Sequence, residues 1–117
     1  MAGPLVFREL LQGRFDPEQV SWQPFREGVE IARLYGGEPN QASAALLRYA
    51  ANAKVPRHIH HGFEHILVLS GSQRDEHGTY TAGTMVVSKP GSAHAISSEE
   101  GCVVLAIWER PVEILEG

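Results

Sequence analysis

Glycine (12) and proline (7) recur every several residues along this 117-residue sequence and cut it into short apolar runs. Long helices have little room in such a chain, whereas many short strands between turns are the pattern of an all-β sandwich or barrel. Strands are predicted at Glu30–Tyr35, Ala44–Ala50, His58–His60, Glu64–Ser70, Ser72–Asp75, Tyr80–Thr81, Thr84–Lys89, His94–Ser97 and Cys102–Glu109. GGEPN, ANAKVP, EHG, KPGSA and SSEEG supply the breaks between them. CVVLAIWE is apolar on both alternating faces and should lie deep, while TYTAG is short and polar and belongs at an edge. Without an internal repeat, these short strands suggest a closed barrel or jelly roll. The helical exception is VFRELLQGRF, where Val6, Leu10 and Leu11 sit at helical spacing, so one turn is expected to end near Gly13.

The length fits one domain. Residues 1–20 are expected to form an N-terminal segment that packs on the barrel or on a second subunit, with 21–117 as the β domain. A net charge of −4 with no basic block gives no stripe for nucleic acid or an anionic membrane surface. Cys102 is the only cysteine, which excludes an intrachain disulfide or a CxxC motif and fits a reducing cytoplasm. No basic start leads into a sustained apolar run, and no segment approaches the roughly 18 apolar residues of a membrane span. The expectation is a soluble, unprocessed, cytoplasmic protein.

The chemistry is concentrated in HIHHGFEHILVLSG, His58 to Gly71. On a strand His58 and His60 point to one face and Ile59 to the other, a two-nitrogen chelate. Gly62 permits a kink or bulge that brings Glu64 into phase with them, leaving His61 and His65 out of register. The letters HGFEH also satisfy H-x-x-E-H, an inverted zinc-peptidase signature that needs a helix. Gly62, the upstream Pro56 and the short run ILVLSG oppose that helix. Two histidines and a carboxylate leave a divalent metal short of a full shell, and His77 and His94 are the candidates for a fourth ligand. His77 lies in the polar hairpin tip DEHG, so His94, opening a strand after KPGSA, is preferred.

The pattern H-x-H-x3-E-x6-G (His58, His60, Glu64, Gly71), followed by Gly83, Gly91 and His94, resembles the two motifs of the cupin superfamily. Asn52 stands where the first motif usually has glycine and also tolerates left-handed backbone; Pro90 is one place late and Ser98 replaces the closing asparagine. LLRYA, PRHIHHGFEHILVLSG, DEHGTYTAG and KPGSAHAISSEEGC, with SWQPFREGVEIARLY upstream, are similar to the cupin domain of ChrR-type anti-sigma factors and their stand-alone relatives. The resemblance implies a small antiparallel jelly roll with one divalent metal per chain, zinc first, on His58, His60, Glu64 and His94. It also implies a homodimer, because cupins pair through an edge strand and the N-terminal segment is apolar. The family's anti-sigma members grip the sigma factor with a separate helical domain, and only about 20 residues precede SWQPF, so direct sigma-factor binding is not expected.

Other residues have simpler readings. His61 and His65 are expected to support the ligands or face solvent, and His77 to be a turn residue. Cys102 should be buried and inert. Trp108, Tyr80 and Phe63 belong to core or interface, and Glu99 and Glu100 to a solvated turn. Four protein ligands close a tetrahedral zinc, a structural or regulatory arrangement, whereas octahedral iron, manganese or nickel would keep two positions for oxygen or substrate. The leading expectation is a metal-binding sensing or ligand-binding domain for a small molecule, with no catalytic residues assigned. The alternative is a mononuclear non-haem dioxygenase acting on a small diketone, thiol or similar substrate.

Overall fold

The computed structural model describes residues 3–115. Ten strands follow in chain order: β1 (Gln23–Arg26), β2 (Val29–Tyr35), β3 (Ser43–Tyr49), β4 (Ala53–His60), β5 (Glu64–Asp75), β6 (Gly78–Thr81), β7 (Met85–Ser88), β8 (Ala93–Ser98), β9 (Cys102–Trp108) and β10 (Val112–Ile114). They pair antiparallel in the order β1-β2-β3-β9-β5-β8-β4-β10, with β6 and β7 also on β5. β5 is the hub. Its first half pairs with β9 and β7, and its second half pairs with β6 and touches β8. The sheet thereby curls over itself into an all-β barrel with almost no helix among the described residues.

Alternation along these strands builds two apolar layers. The inner core contains Val29, Ile31, Leu47, Ile66, Val68 and Val104. The outer layer holds Ala32, Leu46 and Leu69, covered from the N-terminal side by Leu10, Phe15, Val20 and Trp22. β9 shows why CVVLAIWE is apolar throughout: Cys102, Val104 and Ala106 face the inner core, and Val103 and Leu105 face the outer layer. The N-terminal helical turn is a 3-10 turn at Leu10–Gln12, closed by Gly13 at φ 71. Among the described residues, no helix is long and apolar enough to cross a membrane.

Three features differ from the expected strand map. The runs predicted as Glu64–Ser70 and Ser72–Asp75 are one strand, because Gly71 bends it without ending it. Gly71 has φ +73, and a Cβ there would stand 2.0 Å from the Gly101 carbonyl oxygen, a conformation and a closeness open to glycine alone. The ladder shift between Val68 and Ser70 changes the inward set from Glu64, Ile66 and Val68 to Gln73 and Asp75.

The strand expected to begin at His58 begins at Ala53. Asn52, at φ 66, makes the turn before it in the left-handed conformation that asparagine tolerates. The ladder then shifts between Val55 and His58, so the bulge lies at Pro56–Arg57. Proline inside a sheet is at home at such a bulge. Inward positions change there from Ala53 and Val55 to His58 and His60.

The third difference is two short strands at the ends of the sheet order, β1 and β10, in segments to which no strand was assigned. Pro24 is compatible with an edge strand, and β10 pairs Val112, Glu113 and Ile114 with His60, Ile59 and His58.

Candidate metal centre

His58 and His60 come inward from β4, Glu64 from the start of β5, and His94 from β8, where it lies directly opposite His58 in the ladder. All four are buried, and one ligand atom from each lies within 4.8 Å of those of the others. Metal–donor bonds of about 2.0–2.2 Å give separations on this scale. The three imidazoles meet edge to face, with ring centroids 5.2 Å apart for His58 and His60 and 4.7 Å for each of the other pairs.

The outer nitrogens are already engaged. His58 Nδ1–H donates to the Pro56 carbonyl at 2.9 Å, and His60 Nδ1–H donates to the Ser92 carbonyl at 3.0 Å, with Ser92 Oγ equally near. His94 Nδ1–H donates to Asp75 Oδ2 at 3.2 Å. Carbonyl and carboxylate oxygens only accept, so the proton sits on Nδ1 and each Nε2 lone pair is left for a metal. His94 Nε2 is buried without a hydrogen-bond partner. Glu64 Oε1 lies 3.2 Å from His60 Nε2 and 3.7 Å from His94 Nε2, while Oε2 accepts from Trp108 Nε1–H at 2.8 Å. Three imidazole lone pairs and a carboxylate around one point lack a positive charge, and an orphaned buried nitrogen is costly. The residues present fit a divalent cation and could hold one.

The environment sets the protonation of these groups. Burial lowers the His58 pKa below the ordinary imidazole value despite its Pro56 hydrogen bond. Burial also opposes charge on His60, but the hydrogen bond and charge of Glu64 outweigh it and raise the His60 pKa. The Glu64 pKa is lowered, because His60 and the Trp108 donor outweigh the desolvation of the carboxylate. Asp75 is likewise held low despite burial, by the His77 backbone N–H, the Tyr80 hydroxyl and His94.

The remaining histidines are elsewhere. His61 is exposed and lies 2.8 Å from Glu113 Oε1. His65 is half-buried and stacks on Phe63 at 6.4 Å between centroids. His77 is exposed at a turn where its backbone N–H donates to Asp75 Oδ1. HGFEH is a bend leading into β5, not a helix. Gly62 is there for space: a Cβ would meet Glu109 Oε1 at 2.9 Å and the Arg110 nitrogen at 3.1 Å. Cys102 is buried, and burial pushes its thiol pKa up.

Three supporting residues escaped the sequence reading. Asp75 was read only as the end of the strand Ser72–Asp75, Ser92 lies in the KPGSA turn, and Trp108 was assigned to core or interface packing. A Tyr or Trp in a buried strand needs a partner for its polar atom, which is the one signal that pointed to Trp108. Beside the four residues a cavity of about 180 Å³ is lined by His58, Glu64 and His94 together with Arg26, Tyr49 and Ile66, among others.

Comparison with known proteins places the geometry in a family. The model of the ChrR cupin-like domain matches residues 12–111. The anti-sigma-E factor ChrR of Cereibacter sphaeroides is 35% identical over 97 residues, covering 81% of this chain and 45% of that protein. This chain thus spans less than half of that relative's length. In the crystal structure of Rhodobacter sphaeroides SigE in complex with the anti-sigma ChrR, a chain is 34% identical with a TM-score of 0.68, over 78% of this chain and 49% of that one. An acetylacetone dioxygenase from Acinetobacter johnsonii aligns over 99% of this chain and 80% of its own with a TM-score of 0.79. Its identity is 16%, so that likeness is one of fold. The chain belongs to the ChrR cupin-like domain family.

Proposed function

We propose that this domain binds one divalent metal, zinc first and iron, manganese or nickel as the alternatives, through His58, His60, Glu64 and His94. It acts in sensing or small-molecule binding. The observation that supports this reading is the buried convergence of the four donors, with every Nδ1 engaged and His94 Nε2 unpartnered. A bound cation would act as a Lewis acid and a template for ligand oxygen or sulfur. Around it, Pro56, Ser92 and Asp75 orient the imidazoles, Trp108 orients Glu64, and the barrel wall limits water. Elemental analysis of protein purified without added metal should find about one metal per chain, lost in His58→Ala and His94→Ala. Equally little metal in all three proteins overturns the reading.

A second reading, a mononuclear dioxygenase, is favoured by one observation, the cavity that adjoins three of the four residues. Iron-loaded protein should then consume oxygen with a member of a diketone and thiol panel; no uptake leaves this reading without support.

The ChrR relative forms a complex with SigE, yet our reading keeps sigma-factor sequestration outside this domain, and stable co-purification of the two would overturn that. We also infer a homodimer, supported by the exposed Leu5, Val6 and Leu11 of the N-terminal segment and apolar area beyond what a free segment should show. A light-scattering mass of one chain refutes it.

A further inference from the structure

Arg26 lines the cavity beside the histidine cluster, and among the described residues no carboxylate pairs with it. Its neighbour Phe25 lines the same cavity, although consecutive residues of a regular strand face opposite ways. The ladder shift between Pro24 and Arg26 removes that alternation, as bulges do where a strand re-aims a side chain. The edge strand is therefore shaped so that Phe25 and Arg26, neighbours in sequence, both line one opening.

Below them the walls are apolar: Leu47, Val55, Ile66 and Ile96 are buried, with Tyr49 and Gln73 the buried polar side chains beside them. The volume of about 180 Å³ is some six waters' worth and below the roughly 300–1,000 Å³ of drug-sized pockets. A divalent cation and Arg26 together exceed the single negative charge of Glu64. Asp75 does not line the cavity and is engaged by His94, Tyr80 and the turn backbone. The metal-loaded cavity is thus net positive over an apolar floor.

We propose that its ligand is a small organic monoanion, a carboxylate on a short apolar body, with the carboxylate on Arg26 and the body against Leu47, Val55, Ile66 and Ile96. The planar guanidinium suits a two-point contact with such a group. The inference rests on the cluster being a metal centre, and it names the class of molecule that the site takes.

The test is calorimetric titration of the full chain, with metal content measured on the same sample, using isovalerate and isovaleramide, which share a shape and differ in charge. Isovalerate should bind at least about tenfold more tightly than the amide. Arg26→Gln should bring the two within about twofold while metal content and melting temperature stay unchanged, and Arg26→Lys, which keeps the charge without the fork, should fall between. Equal binding of acid and amide, no binding of either, or a preference that survives Arg26→Gln overturns the proposal. A metal-free sample refutes the metal centre separately. In that sample the Arg26→Gln comparison still decides, since loss of the acid preference supports the role of Arg26 and any other result overturns it.

Discussion

Trp108 on β9 and Glu64 on β5 stand directly opposite in the ladder, and the indole Nε1–H donates to Glu64 Oε2 at 2.8 Å. One strand pair thereby fixes the only carboxylate of the cluster and leaves Oε1 facing His60 and His94. Trp108→Phe removes the donor and keeps a ring. Loss of such an orienting partner costs about 10–100-fold in metal affinity, and competition with a chelator should show a drop in that range with the fold intact. Unchanged affinity would assign Trp108 to packing alone.

Asp75 offers a sharper test of the same principle. Its Oδ1 serves the His77–Tyr80 turn and its Oδ2 takes the His94 proton. Asp75→Asn keeps an acceptor for the turn and presents N–H to His94 Nδ1. That nitrogen must then accept, which moves the ring proton to Nε2 and removes its lone pair. Metal affinity should fall about 10–100-fold, with a melting temperature near that of the wild type. Equal affinity in the two proteins contradicts the assigned tautomer.

The pH dependence follows from His60, whose pKa is raised by Glu64 once burial has been overcome, and from His58, which burial lowers. The metal-free site therefore keeps a second proton on His60 up to a higher pH than a free imidazole does, and a metal must displace it. Affinity should rise with pH up to the raised His60 pKa and level off above it, with metal lost below about pH 6. Titrations in buffers of different ionisation enthalpy should detect proton release at about pH 6–7. No release, with constant affinity over that range, excludes His60 as a ligand.

Gly71→Ala places a methyl group 2.0 Å from the Gly101 carbonyl oxygen at a residue with φ +73. Clash and left-handed strain together should cost at least about 1–3 kcal/mol, read as a lower midpoint in urea. An unchanged midpoint contradicts the tight crossing of β5 and the 101–102 turn.

How much of this was legible in the sequence depends on range. His58, His60 and Glu64 could be grouped from strand alternation, and the buried runs of β3, β5 and β9 stand out as apolar stretches between breakers. The inward facing of His58 and His60, however, depends on the bulge at Pro56–Arg57, while Glu64 comes from the separate strand β5, and a bulge is set by the partner strand as much as by its own residues. β1 and β10 are short strands held by distant partners, so QPFR and VEI carry little signal of their own. Asp75, Ser92 and Trp108 act on residues 19, 32 and 44 positions away in the chain. No local spacing announces such contacts, because the curled sheet creates them.

The central claim is the coordination of a metal by three imidazoles and one carboxylate, and X-ray absorption at the edge of the as-purified metal tests it most directly. The predicted spectrum shows imidazole multiple scattering from about three rings with nitrogen and oxygen donors near 2.0–2.2 Å. Four donors in total would indicate a closed zinc site and six an open one. A sulfur shell, a shell without imidazole, or protein that carries no metal would contradict the site described above.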